Sequence, residues 1–407
     1  MHTQLPILIV GGGLGGLCAA FALSCRGYSV RVLERADEIR EIGAGIQLGP
    51  NVFRVLDRLG IADRVLERAV FPTRLVLMDS IGGQPVTSID VQDDFRRRFE
   101  YPYALIHRAD LLQVLFSQCS SRSSVTIVPS QKVVGFDDLG DRVIARVEDG
   151  SCHEGAALIG ADGVASTIRA QLLGDGAPRK SGYVAYRTVL RAGDVPPELR
   201  DNTMTLWAGP RHHLVHYPLR GHRLYNLVAA FRSERTAEGW DTRGDAAELY
   251  SHFADDVPLI RTMLGKIDTW RMWVLCDRDP VKEWNAGRVA LLGDAAHPML
   301  QYLGQGAGMA IEDAYVLADE VAAARDDYAA AFGAYQARRY LRAGRAQLTS
   351  RLYGEFFHTA GTSRDIRNQF LADRTPADVR ESLAWLYDGP NLRASTDGLG
   401  KAASSAK

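Results

Sequence analysis

Residues 7–35 read ILIVGGGLGGLCAAFALSCRGYSVRVLER, and the fold is decided here. The apolar run from Ile7 to Val10 predicts a buried strand. It breaks at Gly11-Gly12-Gly13-Leu14-Gly15-Gly16 and resumes as an Ala/Leu-rich helix. A second strand over residues 29–33 ends at Glu34. Gly11, Gly13 and Gly16 fit G-x-G-x-x-G, and the acid falls near the spacing of a ribose contact. Gly11 permits the tight turn, Gly13 lets the backbone approach a pyrophosphate, and Gly16 lets helix and strand pack closely. The first helical turn, Leu14 and Gly15 included, then offers free N–H groups to phosphates. Glu34 is placed to accept hydrogen bonds from an adenosine ribose, with Arg35 next to it. The motif signals a dinucleotide without separating FAD from NAD.

The chain has 407 residues, enough for two domains or one large composite fold. A net charge of −1 gives no excess of positive charge to attract nucleic acid or an anionic membrane. The basic runs Arg96-Arg97-Arg98 and Arg338-Arg339 to Arg345 read as solvated faces. The cysteines at 18, 25, 119, 152 and 276 are few, odd in number and without C-x-x-C. They indicate neither a disulfide framework nor a zinc site and fit a reducing, cytoplasmic setting. The opening apolar stretch reads as fold, not as a targeting signal, because no basic residue precedes Arg26 and its glycines sit where the turn needs them. No other stretch is long and apolar enough to span a bilayer. There is no H-x-x-x-H, paired carboxylate cluster or G-x-S-x-G to support a metal or hydrolase reading.

Further along, residues 41–60 form a glycine-rich loop and then a helix that starts at Pro50-Asn51 and closes at Gly60. Residues 71–106 alternate like antiparallel strands, the first insertion from a second domain. Arg108 sits at a strand-to-helix junction, within reach of cofactor phosphates. Strands over 125–128, 131–136 and 142–147 read as a β-meander. A buried strand over 157–160 leads into Ala161-Asp162-Gly163. Residues 182–232 are strand-rich, 234–271 more helical. A strand over 289–292 precedes Gly293-Asp294-Ala295-Ala296-His297-Pro298, and Gly304-Gln305-Gly306-Ala307-Gly308 opens a long helix. Helices continue to about residue 388, and the Ser/Ala/Gly/Lys tail over 395–407 reads as disordered.

GGGLGG with Glu34, then ADG with Arg169, then LLGDAAHPMLQYLGQGAGMAIEDA, together resemble the single-component FAD-dependent aromatic hydroxylases, over roughly residues 5–390. The resemblance implies an α/β fold: a Rossmann-type FAD-binding domain (βαβ plus β-meander) with an inserted mixed-sheet substrate domain and C-terminal helices. It divides the chain into 1–72, 101–178 and 272–345 for FAD, 73–100 and 179–271 for substrate, 346–390 as a helical segment, and 391–407 as tail. It implies FAD contacts from the glycine motif, Glu34, Arg35, Gln47, Arg108 and Val134. Asp162 is implied to influence both FAD and the pyridine nucleotide, Asp294 to lie on the ribityl side, and Gly304, Gln305, Gly306 and Ala307 to lie against the isoalloxazine. The positive N-terminus of the helix after that loop suits negative charge on reduced flavin.

SGYVAYR, HHLVHYPLRG and HPMLQYL are similar to the branch that hydroxylates 3-hydroxybenzoate to 2,5-dihydroxybenzoate, using NADH and O2 through a C4a-hydroperoxyflavin. That similarity implies active-site roles for His213, Tyr217 and Gln301. Read as a strand, HHLVHY puts His213, Val215 and Tyr217 on one face, and His212, Leu214 and His216 on the other. At about 3.4 Å per residue, His213 and Tyr217 lie about 13–14 Å apart and can hold opposite ends of a small aromatic acid. His213, with an ordinary pKa near 6.5, suits taking or relaying the phenol proton. Gln301 would hold the phenol oxygen, and Tyr217 the carboxylate or the phenol. His297 reads as structural or flavin-adjacent, and His107 as a packing residue. With no second dinucleotide motif, NADH is expected to bind transiently, near Arg187 or Arg169. The C-terminal helices, including Trp385-Leu386-Tyr387, are expected either to cap the substrate domain or to form a homodimer contact. Two other readings stay open: a sister hydroxylase acting on salicylate or 6-hydroxynicotinate, and a flavin-binding protein that does not hydroxylate.

Overall fold

A computed structural model describes residues 5–39, 44–235, 242–267 and 269–392, so most of the tail lies outside the described residues. From the N-terminus, β1 (Ile7–Val10), α1 (Leu14–Cys25) and β2 (Val30–Leu33) form the opening unit. β3 (Gly45–Leu48) and α2 (Pro50–Arg58) follow, then the hairpin of β4 (Arg74–Asp79) and β5 (Pro85–Asp90). β6 (Ala104–His107) leads into α3 (Arg108–Ser120) and β7 (Val125–Val128). β8 (Val133–Asp138), β9 (Val143–Val147) and β10 (Cys152–Gly155) make an antiparallel meander. β11 (Ala157–Gly160) runs on to α4 (Thr167–Leu173). Then come β12 (Arg179–Arg191), β13 (Thr203–Gly209), β14 (His212–Leu219), β15 (Leu224–Arg232), β16 (Thr242–Arg243) and β17 (Arg271–Asp277). β18 (Asn285–Ala286), β19 (Val289–Leu291) and the helices α5 (Gly306–Ala324), α6 (Tyr328–Phe357) and α7 (Gly361–Ala372) complete the main elements.

Two large sheets result. The first has the order β18-β19-β11-β1-β2-β7, and β19 to β7 pair in parallel. Every residue of β1 and β11 is buried, as expected of parallel strands covered on both faces. The second is an eight-stranded sheet in the order β16-β17-β12-β15-β14-β13-β4-β5, antiparallel except for β13 beside β4. One of its faces carries Val184, Tyr186, Leu214 and Phe231 and packs on Leu249, Ile260 and Met263 of two short helices. The other carries Ala185, Val215, Tyr217 and Val228 and packs on Leu105, Leu300 and Tyr302, toward the first sheet.

Three expectations need correction. β7 pairs with β2 in the first sheet, and the third meander strand is instead β10. β17 pairs with β12, so residues 272–277, expected in the FAD-binding part, belong to the eight-stranded sheet. The boundary expected at 345/346 falls inside α6, which is continuous to Phe357.

Candidate active site

The turn after β1 is built as its glycines require. Gly11 has φ +107°, and a Cβ there would lie 2.4 Å from the Ala161 carbonyl oxygen. A Cβ on Gly16 would lie 2.0 Å from the Gly11 carbonyl oxygen. Gly15 is a packing position, because its Cβ would press on Leu292 and Ala310. Leu14 is buried beneath the same turn. Gly13, at the N-cap of α1, faces open space, and no side chain caps that helix. The first-turn N–H groups are thus presented to whatever lies above Gly13. Glu34 anchors the rim, its carboxylate accepting from the Gly12 N–H at 2.6 Å and the Ala36 N–H at 2.9 Å. Arg35 is exposed beside it. Val134 is 46% exposed at a bulge in β8, just after Gln131, whose N–H bonds the Glu34 carbonyl. Asp162 caps α4, accepting from Ser166 Oγ at 2.5 Å and the Thr167 N–H at 2.7 Å. Burial outweighs those bonds and raises its carboxyl above the ordinary value.

At the other end of the cleft lies the 293–308 segment. Asp294 is reached by solvent, yet surrounding protein desolvates its carboxyl and raises it, against the pull of His297 and Arg108. Gly304 has φ +65°, and a Cβ there would sit 3.1 Å from Oε1 of Gln47. Gln47 Oε1 also accepts from the Tyr103 hydroxyl. Gly306 and Ala307 open α5, whose N-terminus no side chain caps. The side chain of Gln305 turns inward to accept from Asn51 Nδ2 at 3.1 Å, so this residue offers the cleft only backbone. Arg108 is the first residue of α3 and its charge acts on both Asp294 and Arg187. His107 caps α3 by accepting the Ala109 N–H. This donor-rich cradle, open over Gly13 and running toward Asp294 and the α5 N-terminus, fits the pyrophosphate and ring of FAD.

Beneath the loop lies an ion network that the sequence reading missed. Asp313 accepts from His297 at 2.5 Å, Arg339 Nε at 2.6 Å and the Gly293 N–H at 3.1 Å. Glu312 accepts from Arg339 at 2.6 Å, Arg342 at 2.7 Å and Asn51 at 2.8 Å. His297 is fully buried, its ring committed to Asp313. Arg339, expected on a solvated face, is fully buried. Arg169 is also buried, donating to Asp175 and to the carbonyls of Ala295 and Ala296, so it is not available to a nicotinamide cofactor's phosphates.

The expected alternation of β14 is present. His216 bonds Trp207, and His212 bonds Asp256, behind the sheet. His213 lies edge-on to Tyr302 at 5.5 Å, on the cleft side. Tyr217 is buried on that face, and a Cβ on Gly45 would come within 2.5 Å of its ring. Burial raises the Tyr217 phenol, and Arg187 pulls it back. Gln301 comes from the short turn Gln301–Leu303, next to Tyr302 in the chain. Its Oε1 accepts from Arg187 at 2.5 Å, while its Nε2 is a buried donor without a partner. Burial lowers the Arg187 guanidinium to about 10. His213 is 3% exposed, and burial, then His358 and His212, hold it well below the ordinary histidine value. It therefore stands neutral, a correction to the expectation of an ordinary imidazole. Its Nδ1 lies 2.7 Å from His358 Nε2, a partner 145 residues away with no local sequence signal. No described helix is long and apolar enough to cross a membrane, and the five cysteines are free.

The sequence model of one family, described as FAD binding domain, matches residues 4–348. A 3-hydroxybenzoate 6-hydroxylase from Polaromonas naphthalenivorans is 43% identical, over 95% of this chain and 96% of its own. One of the same name from Klebsiella oxytoca is 43% identical, over 95% of this chain and 97% of its own. Among solved structures, HpxO of Klebsiella pneumoniae, with FAD and uric acid, matches with a TM-score of 0.83 at 26% identity. That match covers 96% of this chain and 98% of the other.

Proposed function

Because the chain belongs to the FAD binding domain family, and within it to the aromatic hydroxylases, we propose that it hydroxylates 3-hydroxybenzoate para to its hydroxyl. The product is 2,5-dihydroxybenzoate, and NADH and O2 are consumed. The reading is supported by the face of the eight-stranded sheet that carries His213, Tyr217 and Arg187, where Arg187 donates to Gln301 and the buried Gln301 amide donor is left unpaired. When bound, FAD supplies hydride acceptance from NADH and activation of O2.

The chain's own groups do the rest. The α1 N-terminus and Gly13 take the pyrophosphate, Glu34 the ribose, and Asp294 the ribityl side. Arg108 adds positive charge to the cleft, and Gln47, Arg35 and Val134 line its edges. The uncapped N-terminus of α5, with Gly304 to Ala307, favours negative charge on the ring. Gln301 Nε2 donates to the phenol oxygen, and His213 Nε2 takes its proton. Tyr217 and Arg187 hold the far end of the acid, and the apolar face of the eight-stranded sheet excludes water. The division of labour follows the two sheets, with β17 counted in the substrate part. A cytoplasmic setting fits the free cysteines.

The test is a substrate panel with NADH. Formation of 2,5-dihydroxybenzoate from the 3-hydroxy isomer alone supports the reading. Catechol from salicylate, or turnover of 6-hydroxynicotinate, replaces it with a sister activity. NADH oxidation that no aromatic acid stimulates points to a non-hydroxylating flavoprotein.

Arg187→Ala tests the cluster. It removes the bond that fixes Gln301, and the KM for the aromatic acid is expected to rise about 10- to 100-fold, roughly one charge-assisted hydrogen bond or two. The KM for NADH should not move; a rise in that constant instead would place Arg187 at the nicotinamide cofactor. A homodimer is also part of this proposal. α6 exposes Leu341, Leu348 and Leu352 on one face, and α7 exposes Ile366 and Phe370. Light scattering should give twice the chain mass, and Leu348→Asp with Leu352→Asp should give the single chain.

A further inference from the structure

His358 has no part in the function set out so far, yet its position is tightly determined. It ends α6, its carbonyl accepting from the Arg211 N–H at 3.0 Å. Its ring stacks on Tyr183 at 4.6 Å and lies 5.0 Å from the ring of His213. The two imidazoles share a hydrogen bond of 2.7 Å between His213 Nδ1 and His358 Nε2. Tyr183 from β12, His212 behind on β14, Tyr302 from the loop before α5 and Arg367 from α7 also face the pair, and the carboxylate of Glu355, one turn earlier on α6, acts on Tyr183 and Tyr302.

We propose that His358 is the second member of a two-imidazole path that carries the substrate's phenol proton out of the buried site. The proposal rests on the preceding assignment of His213 to the substrate hydroxyl. If His213 Nε2 is to accept a proton, its Nδ1 must carry one and donate it to His358 Nε2. His358 Nδ1 then carries the outgoing hydrogen. In the step, the phenol O–H bond breaks as N–H forms at His213 Nε2. The Nδ1–H bond of His213 breaks as N–H forms at His358 Nε2, and the His358 Nδ1 proton passes to water. The sum is phenol to phenolate plus one solvent proton; when the hydroxylated ring regains aromaticity its C–H proton is lost to water, and the reverse path returns one proton to the phenolate oxygen.

Burial supports passage over storage. His358 is held down to about 3 by burial, then by His212 and Arg367, and His213 lies well below its ordinary value. Neither ring retains a proton near neutral pH, so one taken from the phenol has to move on. His358 is the more exposed of the two, at 7% against 3%.

The test uses FAD-loaded full-length enzyme and 3-hydroxybenzoate, with His358→Gln, whose amide keeps a bond to His213 but passes no proton. Stopped-flow absorbance of the bound phenolate, kcat and KM are read across pH. The expected result is KM within about threefold of the parent, phenolate formation and kcat slowed about 10- to 100-fold, and partial recovery with added imidazole. Parent-like phenolate formation in the variant overturns the path, whether or not kcat falls. Should His358→Gln fail to fold, the parent enzyme decides alone. A proton inventory of phenolate formation in mixed H2O and D2O should curve, as for two protons in flight, and a linear inventory overturns the path. If the parent does not hydroxylate 3-hydroxybenzoate at all, the functional reading fails. A parent that does, beside an unaffected variant, removes the relay alone.

Discussion

Gly13→Ala is expected to fold like the parent and to lose FAD. The Cβ it introduces meets no atom within 4 Å, and the residue's φ of −74° suits any side chain. Nothing in the protein resists the change, so the thermal midpoint of the flavin-free protein should stay within about 1 °C, under about 1 kcal/mol. That same methyl group occupies the approach to the uncapped N–H groups of α1, where the pyrophosphate would be held. A weakening of about 100-fold in FAD affinity, about 2.7 kcal/mol, is expected by fluorescence titration. Gly16→Ala is the control with the opposite signature. Its Cβ would sit 2.0 Å from the Gly11 carbonyl, so the turn itself has to move and stability falls together with flavin. Parent-like FAD affinity in Gly13→Ala would mean that the phosphates lie elsewhere.

The contrast between these neighbouring glycines was legible in the sequence because everything that fixes it is local. A strand, a turn and a helix start are written within residues 7–35, and the turn's spacing leaves little freedom. The face assignment of β14 was legible for a similar reason: alternation is a property of one strand, and it separates His213 and Tyr217 from His212 and His216 whatever lies on either side. Strand partners are a different matter. Residues 125–128 carry nothing that distinguishes a meander neighbour from a parallel pairing with β2, nearly a hundred residues earlier, and here the second holds. β17 has the same difficulty, since its place beside β12 depends on the return of the chain after two helices. The protonation behaviour of His213 was beyond reach, because the partners that depress it, His358 and the surrounding apolar cover, come from α6 and the loop before α5. Arg339 was misread for a related reason. A basic run suggests a solvated face until the acids it meets are known, and these stand on α5, one helix away.

Arg339→Met should therefore be among the most destabilising single changes in the chain. The guanidinium is fully buried and donates to both Asp313 and Glu312 at 2.6 Å. Burial pushes Asp313 up, but His297 and Arg339 outweigh it and hold the carboxyl at about 2. Removing the cation leaves two adjacent buried carboxylates with His297, the Gly293 N–H, Arg342 and Asn51 but without their shared guanidinium, and breaking a buried pair in this way costs about 3–5 kcal/mol. For a chain of 407 residues that is a fall of roughly 4–6 °C in thermal midpoint. The pH dependence has a definite sign. The folded value of Asp313 lies below the unfolded value of about 3.9, so its contribution is complete above about pH 4 and is lost as pH falls toward 2. Without Arg339 the folded value rises and less of that contribution exists to lose. The variant should start from lower stability and unfold in acid at a higher pH than the parent. Because Asp313 also holds the Gly293 N–H and His297, the loop carrying Asp294 loses its floor, and flavin release should accompany the loss of stability. Thermal and acid unfolding followed by circular dichroism, with flavin fluorescence in parallel, measures all three effects. A midpoint shift under about 2 °C would show that the buried cation is energetically replaceable and that the cleft floor does not depend on it.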